Sequence, residues 1–276
     1  MTLPSDSLLF KNNKQGSFRN KLPEPIQLSK EEWEVALAEI VIPSEVHNVS
    51  NEEGTFIFVT TDPSIVTKLK ELNLKNESSV TGQFSLQIKI PAGAYTSPTH
   101  IVDEINDALQ RNLKEFFTAT AKNFSIKYSE NAKRIKVASN MTNTKLEFSQ
   151  SMYEKLGGDP HKIEGKDYAI TSNEKSLPHD VDLYSGFNHL YFYSDIVEYT
   201  LCGDIKAPIL RVIPFHYSVN RHIHHEFTNL HYVPLAKSYF DEVTINIYGE
   251  SGNPVHFTSG KSLVKLHFRK KSKLNW

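Results

Sequence analysis

"FDEVTINIYGESGNPVHFTSGKSLVKLHF", residues 240 to 268, carries the plainest two-residue period in the chain. Val243, Ile245 and Ile247 alternate with Thr244, Asn246 and Tyr248; later, Val264, Leu266 and Phe268 alternate with Leu263, Lys265 and His267. Alternation of this kind puts each set on one face of a strand. The polar stretch between the two runs, with its Gly and Pro, predicts a tight turn and therefore a hairpin. No residue set in it suggests catalysis, and it is followed at once by the positive cluster Arg269, Lys270, Lys271 and Lys273.

The same period recurs upstream. In "GQFSLQIKIPAGAY" Phe84, Leu86, Ile88 and Ile90 alternate with Ser85, Gln87 and Lys89. Trp33, Val35 and Leu37 share one side of a run closed by Pro43, with Glu34, Ala36 and Ala38 on the other. Further strands are expected at residues 55–60, 124–128, 134–137, 146–148, 189–195 and 209–214. One helix is well marked: Ser97 as N-cap, Pro98 at the first position, then an apolar stripe of Ile101, Ile105, Ala108, Leu109, Leu113 and Phe116. A brief second helix is expected at "SMYEKLGG", ended by Gly157. About ten short strands with a single strong helix predict an all-β protein, an antiparallel β-sandwich of jelly-roll type. Residues 1–30, with Leu22-Pro23-Glu24-Pro25, read as an extended N-terminal arm. Residues 31–276 form the jelly-roll domain, and 82–186 is either an inserted α+β piece carrying the amphipathic helix or part of the main sheets. The segment 158–186, polar and rich in Gly, Pro, Asp and Lys, is either an exposed functional loop or a boundary between substructures.

Bulk composition narrows the function classes. With 276 residues, 39% hydrophobic and 23% charged, the chain has material for a sizeable core. No apolar run approaches the roughly 20 residues of a membrane span. A formal charge of −1 confines any nucleic-acid contact to a local patch. One cysteine, Cys202, allows no internal disulfide, and the start MTLPSDSLLFKNNK lacks the pattern of a secretory signal. Folding in a reducing compartment, without secretion, is the expectation. The Asn-x-Ser/Thr matches at Asn48, Asn76, Asn123 and Asn140 then carry no meaning.

Motifs with a strong mechanical meaning are missing: no Gly-x-Ser-x-Gly, no phosphate-cradling Gly-rich loop, no His-Glu-x-x-His. Cys202 in "YTLCGDI" reads as a small buried hydrophobe rather than a nucleophile. "RHIHHEFTNLHY" puts His222 and His224 on one strand face, and His231 from a nearby turn would supply a third imidazole to zinc; a polar loop before a strand is the plainer reading. Asp180, Asp182, Asp195 and Asp204 are scattered and form no acid–base pair. Arg269, Lys270, Lys271 and Lys273 are either a solvated end or phosphate contacts. No cofactor is expected, and the chain reads as no enzyme.

Several stretches carry a further likeness: "LPEPIQL" (22–28), "EWEVALAEI" (32–40), "IPAGAYTSPTHIVDEINDAL" (90–109), "LEFSQSMYEKLGG" (146–158), "LYFYSDIVE" (190–198), "GDIKAPILRVIP" (203–214) and, most specific, residues 231–270. Their order resembles the minor capsid, or penton, protein of Polinton (Maverick) elements and adintovirus-like genomes, from about Leu3 to Lys270. What the resemblance implies is a jelly-roll subunit forming homopentamers at the vertices of an icosahedral shell, beside a double jelly-roll major capsid protein. It also implies a place in the virion, with synthesis in the cytoplasm or nucleus of a eukaryotic host. On that reading residues 240–268 close the sandwich with a last strand lying deep in a sheet, and the basic tail contacts packaged DNA. The alternative is a jelly-roll carbohydrate or receptor-binding module using loops 158–186 and 215–235; a third reading is a metalloenzyme on the histidine cluster.

Overall fold

The computed structural model describes residues 1–161, 168–185, 187–215, 222–250 and 252–271. The chain divides into two compact units, one of Met1–His47 with Gly186–Trp276, the other of Asn48–Ser185. Following the chain, the first unit opens with strands β1 (Thr2–Pro4), β2 (Ser17–Gln27) and β3 (Trp33–Pro43). The second holds β4 (Thr55–Thr60), helix α1 (Pro63–Glu71), β5 (Phe84–Lys89), α2 (Pro98–Thr120), β6 (Phe124–Ser129), β7 (Arg134–Ser139), β8 (Thr144–Glu147), α3 (Gln150–Lys155) and β9 (Ala169–Thr171). The first unit then resumes with β10 (His189–Ser194), β11 (Thr200–Cys202), β12 (Ile205–Ala207), β13 (Ile209–Pro214), β14 (His222–Glu226), β15 (Tyr232–Pro234), β16 (Tyr239–Tyr248) and β17 (Leu263–Lys270).

The first unit is an antiparallel sandwich. One sheet has the order β1-β17-β3-β14, with β15 also on β3; the other runs β13-β10-β16-β2. Residues 240–268 are therefore not a hairpin. β16 pairs with β10 and β2, whereas β17 pairs with β1 and β3. Alternation fixes which face of a strand is apolar but says nothing about its edge partner, so two consecutive strands can as well face each other across a core as lie side by side. Here they face: Val243, Ile245, Ile247, Val264 and Leu266 are all buried, and Phe240 stacks on Phe268 with ring centroids 6.2 Å apart. Between them the linking segment is itself tied down, Val255 and Phe257 being buried and Phe257 bridging to Val46. Repeated crossing from sheet to sheet, at β1–β2–β3, β13–β14, β15–β16 and β16–β17, is the jelly-roll pattern.

Residues 1–30 are not a loose arm. β1 edges onto β17, and β2 pairs with β16 from Asn246 to Tyr239, burying Phe18. Pro23 and Pro25, which lack an N–H, fall where the register slips: Lys21 pairs with Glu242 but Ile26 with Phe240, so Leu22–Pro25 bulge from the ladder. A second bulge changes the parity of β3. Val35 and Leu37 are buried before it, Ile40 and Ile42 after it, because Lys265 pairs with Glu39 and Leu266 with Leu37, leaving Ala38 extra. The carbonyl of Ala38 is not orphaned; it accepts from Phe227 N at 2.9 Å, in the gap between β14 and β15.

The second unit starts at Asn48, well before residue 82, because β4 is paired on both sides, with β5 and β8. Its sheet has the order β5-β4-β8-β9, and β6 and β7 form a separate pair. It owns a core in which α2 contributes Ile101, Ile105, Ala108, Leu109, Leu113 and Phe116, all fully buried, together with Phe56, Phe58, Phe84, Ile126 and Leu146. Ser97 Oγ accepts from Thr99 N at 3.2 Å and Pro98 opens the helix. The stretch around Ile65 is a helix, α1, capped by Asp62 and opened by Pro63. After α3, Gly157 takes φ +92°, and a Cβ there would lie 2.3 Å from the His179 carbonyl oxygen, so the turn requires glycine. Among the described residues no helix is long and apolar enough to cross a membrane.

Candidate functional site

The histidine cluster comes apart in the fold. His222, His224 and His225 lie exposed on β14, an edge strand. His224 Nε2 lies 3.1 Å from Glu39 Oε1, whose other oxygen is bound by Lys265, while His225 packs on the Phe227 ring at 4.4 Å. His231 is exposed in the segment before β15, and His222 stands near Pro43 and Gly260. Among the described residues no three His, Cys, Asp or Glu side chains are grouped to hold a metal. The histidines instead join a row of charges across the outer face of the sheet, His224–Glu39–Lys265 and Glu34–Arg269–Tyr232–His267. Lys265 and then His224 hold the Glu39 carboxyl below its ordinary range by hydrogen bonding.

The basic end is partly occupied by the fold. Arg269 Nε donates to Glu34 Oε1 at 2.7 Å and its guanidinium lies 3.4 Å above the Tyr232 ring centre. Lys270 Nζ is 5.9 Å from the Trp33 ring, and Lys271 Nζ donates to the Lys30 carbonyl at 3.0 Å. Lys273 lies outside the described residues. The scattered aspartates serve locally: Asp195 accepts from Thr244 N and Lys237 Nζ, Asp182 from Tyr184 N, and Asp180 from Arg134 Nε, while Asp204 sits exposed in a turn. Asn48, one of the Asn-x-Ser matches, is 1% exposed and holds Tyr95 through both side-chain atoms.

Two surface features of the first unit escaped the sequence reading. Thr200↔Ala207, Leu201↔Lys206 and Cys202↔Ile205 make a short hairpin turned at Gly203-Asp204. Its apolar side chains point outward, with Tyr199, Leu201 and Ile205 exposed by 67%, 78% and 59%. The base is rigid, since Ile196 and Val197 are buried and Glu198 N and Ala236 N bond across to Pro234 and Ile196 carbonyls. The other feature is a groove of about 650 Å³ lined by Leu9, Phe10, Lys11, Asn12, Asn13, Ser17, Phe18, Arg19 and Thr244. Ser7 Oγ accepts from Leu9 N and Phe10 N, each at 3.3 Å, and Asn13 brackets the Arg19 backbone with bonds of 2.9 and 3.0 Å. Leu8 and Leu9 stand out beside it, 97% and 71% exposed. The Leu8-Leu9-Phe10 triplet in a polar context was the available signal.

The second unit contains a buried ionic knot. Lys155 Nζ, 4% exposed, donates to Glu53 Oε1 and to the Asn48 carbonyl, both at 2.6 Å, and Ser151 Oγ donates to the same Glu53 oxygen. Burial pushes the Glu53 carboxyl up, but the bonds from Lys155, Ser151 and the Ser50 backbone outweigh it and leave it below its ordinary value. The knot ties α3 to the loop before β4.

No protein-family model and no curated protein sequence matches the chain. Among solved structures, the mavirus penton protein aligns with a TM-score of 0.50 at 13% identity, covering 98% of this chain and 99% of that one. A chain of the Sputnik virophage aligns with a TM-score of 0.44 at 14% identity over 98% of each chain. The mavirus likeness is one of fold, and it covers the chain through both units, the sandwich and the mid-chain α+β unit alike.

Proposed function

We propose that this chain is a structural capsid subunit, a penton (minor capsid) protein of a virus or transposon. It assembles as a homopentamer at the vertices of an icosahedral shell whose faces are a double jelly-roll major capsid protein, and it catalyses no reaction. One observation supports this above the rest: the fold likeness to a penton protein covers 98% of this chain and 99% of the other. A generic sandwich would match the first unit alone; here the inserted unit is matched as well. A ring of five needs two different, complementary patches on each subunit. The tail would face inward, and because Arg269 is committed to Glu34 and Tyr232, contact with DNA phosphates falls to Lys270, Lys271 and Lys273. The protein's place is the virion, after synthesis in the reducing cytoplasm or nucleus of the host.

The test is coexpression with the major capsid protein followed by single-particle imaging. Fivefold density at particle vertices that fits this sandwich is the expected result. A chain that stays monomeric, never enters particles and binds glycans on an array would replace the capsid reading with that of a carbohydrate-binding module.

A further inference from the structure

We infer that the hairpin of Tyr199 to Ala207 is the convex half, and the groove beneath Leu9 and Phe10 the concave half, of one head-to-tail contact between neighbouring copies of this chain. The inference rests on the capsid reading above and adds which surfaces close the ring.

Three observations carry it. The first is apolar exposure: Leu201 and Ile205 project from a hairpin only three residue pairs long, which has no core of its own to bury them. Leu201 shares one face with Lys206 and Ile205 the opposite face with Cys202, so the two project from both sides of the hairpin, and a hollow that receives the hairpin whole covers both. The second is topology. In the sheet β13-β10-β16-β2 the hairpin leads directly into β13, one edge, whereas the groove is built on Ser17, Phe18 and Arg19 of β2, the opposite edge. A protrusion and a hollow at opposite edges of one sheet cannot meet within a copy, but they can meet between copies, and repetition of such a contact closes into a ring when the rotation allows. The third is charge. Asp204 stands exposed at the hairpin tip and Glu198 at its base, with the exposed Lys206 on the strand between tip and sheet, while the groove presents Lys11 and Arg19. Arg19 keeps only a 3.5 Å pairing with Glu242 and remains half exposed, with its guanidinium 4.6 Å from the Phe10 ring centre. An acidic tip entering a basic-rimmed apolar hollow gives both affinity and a fixed direction.

Two double variants of the full chain test this by analytical ultracentrifugation. Leu201→Asp/Ile205→Asp removes the protrusion, and Leu9→Asp/Lys11→Glu spoils the hollow; every changed side chain is exposed, so melting curves should match wild type and exclude misfolding as the cause. Wild type should form a closed oligomer, each double variant should be a monomer, and an equimolar mixture of the two should stop at a one-to-one dimer, because one intact protrusion and one intact hollow remain. Asp204→Lys and Lys11→Asp should each raise the assembly midpoint concentration about fivefold, and their combination in one chain should restore it. If wild type forms rings and both double variants still do, the contact assigned here is wrong while the capsid reading stands. If wild type stays monomeric at every concentration and never joins particles, the capsid reading itself fails and takes this inference with it.

Discussion

Replacing Leu266 by Ala probes the claim that the last strand is wedged into the sandwich. Leu266 is 1% exposed, lies opposite Leu37, and has strands on both sides, β1 and β3. Leu→Ala changes in cores cost about 2–5 kcal/mol, the larger values where neighbours cannot collapse into the gap. A strand held from both edges is such a place, so about 3–4 kcal/mol is expected. For a unit of about 140 residues each kcal/mol moves Tm by about 3–5 °C, giving a fall of about 10–20 °C. Because the two units have separate cores, calorimetry on the whole chain should show that fall in one transition only. Leu109→Ala, in the α2 stripe of the other core, should lower the other transition by a similar amount. A shift below about 3 °C for Leu266→Ala, or one shared transition moved equally by both substitutions, would refute the wedged strand or the separate cores.

Lys155→Met should lower the stability of the second unit by about 3–5 kcal/mol in urea melts, since it leaves Glu53 buried without its cation. The Glu53 carboxyl lies below its ordinary value of 4.5 when folded, so its stabilisation is complete above that value and is lost as pH falls through the lower folded one; Glu53→Gln should flatten this acid limb of a stability–pH curve. Asp62 is held down to about 2, chiefly by the Ser64 and Thr142 hydroxyls, and caps α1; Asp62→Ala should cost about 1 kcal/mol at pH 7, and the difference from wild type should shrink as pH drops from about 4 toward 2. Elemental analysis of protein purified without chelator should find no stoichiometric zinc, and His222→Ala/His224→Ala should leave that result unchanged.

How far the sequence can be read depended on whether the signal was local. Five strands of the jelly roll, β3, β10, β13, β16 and β17, were legible from their apolar patterns, and α2 from Ser97, Pro98 and its stripe, because these features are written within a few residues. Edge partners were not: β16 and β17 look like a hairpin until their neighbours from residues 2–43 are placed. The parity switch in β3 was hidden by a single extra alanine, Ala38, whose bulge exists only through pairing with β17. β2 escaped notice because two prolines mask a strand that tolerates them at an edge. α1 was not legible: Asp62 and Pro63 open it, but its nine residues are too short for periodicity to show. The histidine cluster was visible as composition, and its dispersal follows from β14 pairing with β3 alone, which brings His224 to Glu39 and leaves His231 beyond the strand. Exposed apolar side chains such as those of the hairpin of 199–207 are seen only once solvent exposure is known, which no linear pattern reports.

Pro23 and Pro25 have one more effect. β2 is the longest edge strand among the described residues, and an unbroken backbone rim of that length would invite strand addition by any other molecule held close by. Two missing amide hydrogens and the kink at Leu22–Pro25 spoil the template, so the strand is guarded against edge-to-edge pairing where its rim is longest. Restoring amides there, as in Pro23→Thr/Pro25→Thr, opens that rim to amyloid-like strand addition.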